Sequence, residues 1–332
     1  VGAQIYYIET TQPEAFARTT AIVSYPGYWG FRLSGVLGTD VTSLGCHTDI
    51  WNPNAHAPSS LAVSRGWAAR FAPVRTPFDR LGGLTASVAA ATGLREGLPV
   101  FQGIHDSNAS LLPHLLARQA PFAVISTGTW AILFAVGSSS ADLDPARDTL
   151  CNIDAFGRPV PSARFMAGRE FDILTDRAPV TPSAADVRSV IDGRAMALPT
   201  FAPRTGPFGH SVGRWSVDPG RLGGGERTAA ASLYAALVTE KSLDLIGAAG
   251  PIVVEGPFAA NRVYSDAVAA LTGRDVVRAA GATGTSAGAA LVAAGPSARR
   301  ATPPEIRDAT PPTDLSGLDD YARQWRTAVK AV

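Results

Sequence analysis

Phe122-Ala-Val-Ile-Ser-Thr-Gly-Thr-Trp-Ala-Ile-Leu-Phe-Ala-Val136 is the stretch on which the fold turns. Phe122–Ser126 and Ala131–Val136 are apolar runs of strand length, and Thr127-Gly128-Thr129-Trp130 joins them as a turn. Moving toward the C-terminus, residues 137–226 are rich in Pro, Gly, Arg and Asp, which predicts long connections with few regular elements. Thr228–Ala249 is the strongest helical pattern in the chain and is stopped by Gly250-Pro251. Ile252–Val254 reads as a buried strand running into Glu255-Gly256-Pro257, and Ala259–Thr272 as a helix closed by Gly273. Val276-Val277 starts a further strand, Thr285–Ala294 is a small-residue helix, and Leu315–Val332 is an amphipathic closing helix. Moving the other way, Gly97–Gln102 has strand length, Gly83–Gly93 is a helix with a glycine stop, and Tyr28–Leu33 is a short helix ended at Ser34-Gly35. Asp40–Asp49 reads as loop or helix start, Pro13–Tyr25 as a helix, and Gln4–Ile8 opens the chain in mid-element. Strands alternating with helices predict an α/β fold with some parallel pairing.

Composition narrows the function. The 332 residues allow about two domains and a sizeable core. Twenty-nine basic against 28 acidic residues give a net charge of +1, and no basic run exceeds Arg299-Arg300, which argues against a nucleic-acid partner. No apolar stretch approaches eighteen residues, so no membrane span is expected. Cys46 and Cys151 form neither a disulfide framework nor a CxxC, which points to a reducing, cytoplasmic setting. The five histidines show no HExxH spacing, so no protein-held metal is expected; no GxGxxG or GxxxxGK[ST] occurs either.

Three segments carry residue types that do chemistry. Asp106, in Gly103-Ile-His-Asp-Ser-Asn-Ala-Ser110, leaves a strand C-terminus, where open α/β sheets bind ligands, and sits beside His105 and Ser107. A carboxylate there can accept a proton from a substrate hydroxyl; equally, it can cap a helix beginning near Ser107, and the two roles are compatible. The Thr127-Gly128-Thr129 turn offers backbone N–H groups and hydroxyls without bulk, as a phosphate tail needs, or is a plain hairpin turn with Trp130 in the core. Val253–Asn261 and Gly284–Leu291 place small residues at strand–helix junctions, where a flat ring could slide between two backbones or a helix could pack closely on a sheet. Arg169-Glu170 is either a polar ligand contact or a surface pair.

In their order along the chain, these segments resemble the FGGY family of carbohydrate kinases. The run is Tyr28–Gly35, Asp40–Gly45, Gly93–Val100, Gly103–Ala109, Ser126-Thr-Gly-Thr-Trp130, Glu255-Gly-Pro…Asn261 and Ser286–Ala290. The His-Asp pair and the Ser-Thr-Gly-Thr-Trp spelling point to the branch that contains rhamnulokinase and fuculokinase. The resemblance implies a ribonuclease-H-like, actin-like two-lobed fold with an incomplete first lobe. Residues 1–117 would be the remainder of a sugar-binding lobe and 118–332 a nucleotide-binding lobe. Asp106 would be the base, His105 and Ser107 would line the sugar, and Arg169 joins them as a candidate substrate contact. Thr127, Gly128 and Thr129 would hold ATP phosphates, with Gly256, Pro257 and Asn261 at the adenosine. Mg²⁺ would arrive with ATP and keep several waters. The partner implied is a small sugar, a ketose or related polyol; a homodimer is compatible with the reading.

Two departures stand out. Glu255-Gly256-Pro257 occupies the place where the family often has a glycine pair or triplet. The family also opens on an Asp-x-Gly-Thr-Thr-like hairpin that contacts ATP phosphates. Ile8-Glu-Thr-Thr-Gln12, the nearest stretch here, lacks the Asp-x-Gly and sits before a helix. The expectation is therefore a chain missing roughly a hundred N-terminal residues and inactive or feeble by itself, with a non-catalytic sugar- or nucleotide-sensing relative as the alternative.

Overall fold

The structure is a computed structural model, and it describes residues 1–139, 142–280, 284–298, 305–306 and 312–330. The chain divides into two compact units. The first holds Val1–Ala117, Cys151–Val160 and a later stretch carrying the helix Gly284–Ala294; the second holds the rest. The division is thus not one cut between residues 117 and 118. Leu112, Ala155, Leu291 and Val292 share a buried cluster, and burying their side chains together draws the two later segments into the first unit.

The first unit opens with helix α1 (Gly2–Thr11), so Gln4–Ile8 and the Glu9-Thr10-Thr11 stretch lie inside a helix. A single helix over Pro13–Tyr25 does not form. A short helix covers Pro13–Ala17, and α2 (Tyr25–Ser34) begins afresh. Between them lies extended chain, where Ile22 bridges Phe71 in parallel. The β-branched residues Thr19, Thr20, Ile22 and Val23 disfavour helix there. Ser24 restarts it by accepting from the Gly27 N–H at 3.3 Å, with Pro26 in the first turn, where its missing N–H is harmless. The unit's strands are short: Thr39–Asp40 pairs with Val74–Arg75, Trp51–Asn52 with Ala57–Pro58, and Arg80–Gly83 with Pro99–Phe101. Pro99–Phe101 leads through Gln102–His105 into α3 (Asp106–Ala117).

The second unit is built on β1 (Phe122–Thr127) and β2 (Ala131–Val136), an antiparallel pair in which Phe122 faces Val136 and Thr127 faces Ala131. The segment expected to be mostly irregular instead supplies β3 (Thr149–Ile153) and β4 (Pro159–Phe165), whose facing ends are counted with the first unit, and α4 (Ala167–Leu174) and α5 (Ala184–Asp192). Its Pro and Gly residues punctuate elements rather than exclude them. Ser183 and Asp186 form a reciprocal capping box that starts α5. Then follow α6 (Gly224–Leu245), β5 (Ile252–Glu255), α7 (Arg262–Thr272), β6 (Val276–Arg278), α8 (Gly284–Ala294, in the first unit) and α9 (Leu318–Lys330).

The strands form one sheet in the order β6-β5-β1-β2-β4-β3. β2 runs antiparallel to β1 and β4, while β5 lies parallel to β1 and β6 parallel to β5. This is the ribonuclease-H-like arrangement that the resemblance implies. Ala123, Val124 and Ile125 are fully buried, as expected for a strand at the middle of a sheet covered on both faces. Leu233, Ala236 and Leu237 of α6 and Ala267 and Val268 of α7 join Ala123 and Ile125 in the unit's core. Among the described residues, no helix is long and apolar enough to cross a membrane.

Candidate functional site

In the first unit, the chain turns at Gly103 (φ 85°) and brings His105, Asp106 and Ser107 together at the start of α3. The Asp106 side chain is 77 % exposed, so its carboxylate is open to a ligand. One oxygen, Oδ1, accepts from the Ser107 N–H at 2.6 Å and lies 3.3 Å from Ser107 Oγ and 3.2 Å from His105 Nδ1. No bond to a later N–H of the first turn is made, so Asp106 is not the conventional cap that the sequence also allowed. The His105 backbone N–H donates to Thr42 Oγ1 at 3.0 Å, which ties the loop before α3 to the rest of the unit.

In the second unit, Gly128 and Thr129 are exposed on the turn between β1 and β2, closed by a Gly128 N–H bond to the Trp130 carbonyl at 2.8 Å. Gly168, in the first turn of α4, lies against that turn so closely that an added Cβ would overlap the Gly128 carbonyl. Turn and helix start therefore line one cavity of about 1280 Å³, together with Arg169, Arg177, Pro257, Phe258, Asn261 and Arg262. Arg169 and Arg177 are exposed and make no ion pair among the described residues, which leaves two guanidinium forks for an anionic ligand. Phe171 and Phe258 meet edge to face at 5.3 Å and give the cavity an apolar wall. On the rim, the Ser316 hydroxyl and N–H, with Arg188, hold the Asp314 carboxyl at about 2. Among the described residues, no group of three or more His, Cys, Asp or Glu side chains could hold a metal.

Several expected ligand contacts are used for structure. The Thr127 hydroxyl donates to the Glu255 carbonyl and accepts from the Phe258 N–H at 3.1 Å, so it fastens β1 to β5, and it is not among the residues that line this cavity. Gly256 has φ 78° and abuts the Thr127 carbonyl; no side chain fits there. Asn261 lines the cavity, but its Oδ1 caps α7 through the Tyr264 N–H at 3.0 Å and its Nδ2 donates to Ser232 Oγ at 2.9 Å. Pro257 lines the cavity with Gly128 and Thr129. Arg169, expected with the sugar contacts, lines this cavity of the second unit, whereas Asp106 belongs to the first. Glu170 is no surface pair. It is buried, accepting from the Phe201 and Ala202 N–H groups at 2.8 and 3.0 Å and from the Thr200 hydroxyl, and burial raises its pKa despite those bonds. The Gly284–Leu291 segment belongs to the first unit, where Gly288 packs on Ala109. The sequence reading missed Arg177, Arg262 and Phe171, whose spacing carries no signal, and Gly168, whose place just before Arg169-Glu170 was the one available clue.

Known proteins share the family and the fold of this chain. Residues 119–302 match the family described as carbohydrate kinase FGGY, C-terminal domain. L-fuculokinase from Escherichia coli (strain K12) is 26 % identical over 156 residues, which are 46 % of this chain and 32 % of that protein. The match thus spans about a third of that relative's length. The crystal structure of a carbohydrate kinase from Novosphingobium aromaticivorans superposes with a TM-score of 0.86 at 36 % identity, covering 99 % of this chain and 72 % of that one. A xylulose kinase from Rhodospirillum rubrum shares the fold, with a TM-score of 0.77 at 20 % identity over 99 % of this chain and 71 % of its own. With the family match covering more than half of its residues, and a relative above 30 % identity following nearly all of them, the chain belongs to the FGGY carbohydrate kinase family.

Proposed function

We propose that this chain is the greater part of an ATP-dependent sugar kinase that phosphorylates a hydroxyl of a ketose or related polyol, with Asp106 as general base. The observation that carries the reading is the open carboxylate of Asp106, one oxygen of which is steadied by Ser107 while the side chain stays 77 % exposed. A base in this role must be within hydrogen-bond reach of the hydroxyl proton and need not be strongly shifted, since phosphoryl transfer rests mainly on positioning and charge stabilisation. His105 and Ser107 flank the sugar. In the second unit, the Gly128–Thr129 backbone and the guanidinium groups of Arg169 and Arg177 face the phosphates, and the Phe171–Phe258 wall and Pro257 face the base. ATP supplies the phosphoryl group and brings Mg²⁺ with it. The likeness to L-fuculokinase favours the rhamnulokinase and fuculokinase branch.

The test is ADP release with a panel of L-fuculose, L-rhamnulose, D-xylulose and glycerol, using the complete polypeptide in which residues 1–332 occur. Asp106→Asn should lower kcat at least a hundredfold, the scale on which positioned acid–base groups act, while ATP affinity stays within a factor of about two. Full turnover by Asp106→Asn removes Asp106 as the base. Absence of sugar-dependent ADP release with every acceptor, in a protein that still binds ATP, favours a sensing relative that kept the fold without the chemistry.

A further inference from the structure

Asp40 is fully buried and meets no cation among the described residues. Its carboxylate is held by donors alone. Oδ2 accepts from Ser24 Oγ at 2.6 Å; Oδ1 accepts from Thr42 Oγ1 at 2.5 Å and from the Ser43 N–H at 2.7 Å. A helix of four residues, Val41–Leu44, does not need so deep an anchor. The bonds lead elsewhere. A threonine hydroxyl has one proton, and that of Thr42 is committed to Asp40, so the oxygen's lone pairs are turned outward. They receive the His105 backbone N–H at 3.0 Å, across 63 positions of sequence, one residue before Asp106. Thr42 is itself fully buried. The chain Ser24–Asp40–Thr42–His105 therefore ends on the peptide that precedes the proposed base.

We propose that Thr42, oriented by the Asp40 carboxylate, is a positioning residue for phosphoryl transfer: it fixes the Gly103–His105 loop so that the Asp106 carboxylate meets the substrate hydroxyl. The proposal rests on the reading of Asp106 as the base. Asp106 is exposed and, among the described residues, its carboxylate bonds only to its neighbours Ser107 and His105, so its backbone, rather than packing around its side chain, sets where the carboxylate points. A displacement of about 1 Å in such a group can cost about a hundredfold in rate.

The experiment compares Thr42→Val, Thr42→Ser and Asp106→Asn in the complete polypeptide, with the best acceptor of the panel. Thr42→Val keeps the shape and removes the hydroxyl; it should lower kcat about ten- to a hundredfold while KM for ATP stays within about twofold. Thr42→Ser, which restores the oxygen, should recover kcat to within about threefold. Amide exchange at His105 should quicken in Thr42→Val and return toward the parent rate in Thr42→Ser, a readout that needs no acceptor. A folded Thr42→Val with parental kcat, or one whose His105 amide exchanges at the parental rate, overturns the proposal. Asp106→Asn separates the two readings. Full turnover there removes the base, and with it this role for Thr42; loss of turnover there beside an unimpaired Thr42→Val removes the positioning role alone. If Thr42→Val is recovered unfolded, Ser24→Ala loosens the same carboxylate from a half-buried site and should lower kcat about threefold at unchanged KM for ATP; an unchanged kcat then overturns the proposal.

Discussion

Thr127 and Asn261 show how a residue type suited to a ligand can be spent on the fold. A hydroxyl beside a glycine on a strand–turn junction is a reasonable phosphate contact, but the partner strand that takes up the Thr127 hydroxyl lies 128 residues later. Periodicity has no means of announcing such a long-range bond. Asp106, His105 and Ser107 stood out as candidates because they are consecutive, and the loop that presents them is short. Glu170 was misread for the opposite reason: three donors converge on it from residues 200–202, which no local pattern connects to α4. Its chemistry gives a sign that can be measured. Folding raises the Glu170 pKa, so the native state binds more protons than the unfolded chain between the ordinary value of 4.5 and the raised one. The Glu170 contribution to stability is greatest at acid pH and declines as pH rises through that window. Glu170→Gln keeps a carbonyl oxygen for the Phe201 and Ala202 N–H groups and has no charge to desolvate. The Tm of the parent relative to Glu170→Gln should therefore fall from pH 4.5 upward; a constant difference across pH 4.5–8 contradicts this account.

At the scale of elements, α3 and α8 interact through a defect. Pro113, inside α3, has no N–H to give to the Ala109 carbonyl four residues back. Gly288 of α8 lies against that carbonyl, and a Cβ there would overlap it. Close by, Ser110 Oγ and Thr285 Oγ1 share a hydrogen bond of 2.8 Å. The small residues of α8 are thus explained by helix-on-helix packing, where the sequence suggested either a ring site or a helix on a sheet. Gly288→Ala should destabilise the protein by about 1–3 kcal/mol, the usual range for overpacking, seen as a lower denaturant midpoint at unchanged slope. A midpoint within error of the parent would show that α8 moves aside freely. The sheet was more legible than its surroundings. β1, β2 and β5 are mainly apolar runs bounded by turn residues, whereas β3, β4 and α4 mix polar and charged residues into their runs, and the two strands are ordered by joining that sheet.

For the molecule as a whole, the proposed nucleotide contacts all fall in the second unit, while residues 1–332 contain no Asp-x-Gly-Thr-Thr hairpin. Binding and turnover should therefore separate. ATP at about a hundred times its Kd should stabilise residues 1–332 by about 2.7 kcal/mol, detectable as a rise in Tm, while sugar-dependent ADP release from the same polypeptide stays feeble. Robust release would show that the hairpin is dispensable, and no thermal shift would remove the cavity as the nucleotide site. The passage of α8 into the first unit carries a further consequence, for biosynthesis. On the ribosome, residues 1–117 emerge long before Gly284–Ala294, yet Leu112 finishes its apolar cluster only with Leu291 and Val292. Residues 1–117 thus wait, with that surface uncovered, until most of the second unit has been synthesised. Order of translation and order of completion are reversed, and a nascent chain stalled before residue 284 presents a half-built first unit to the chaperones that meet it.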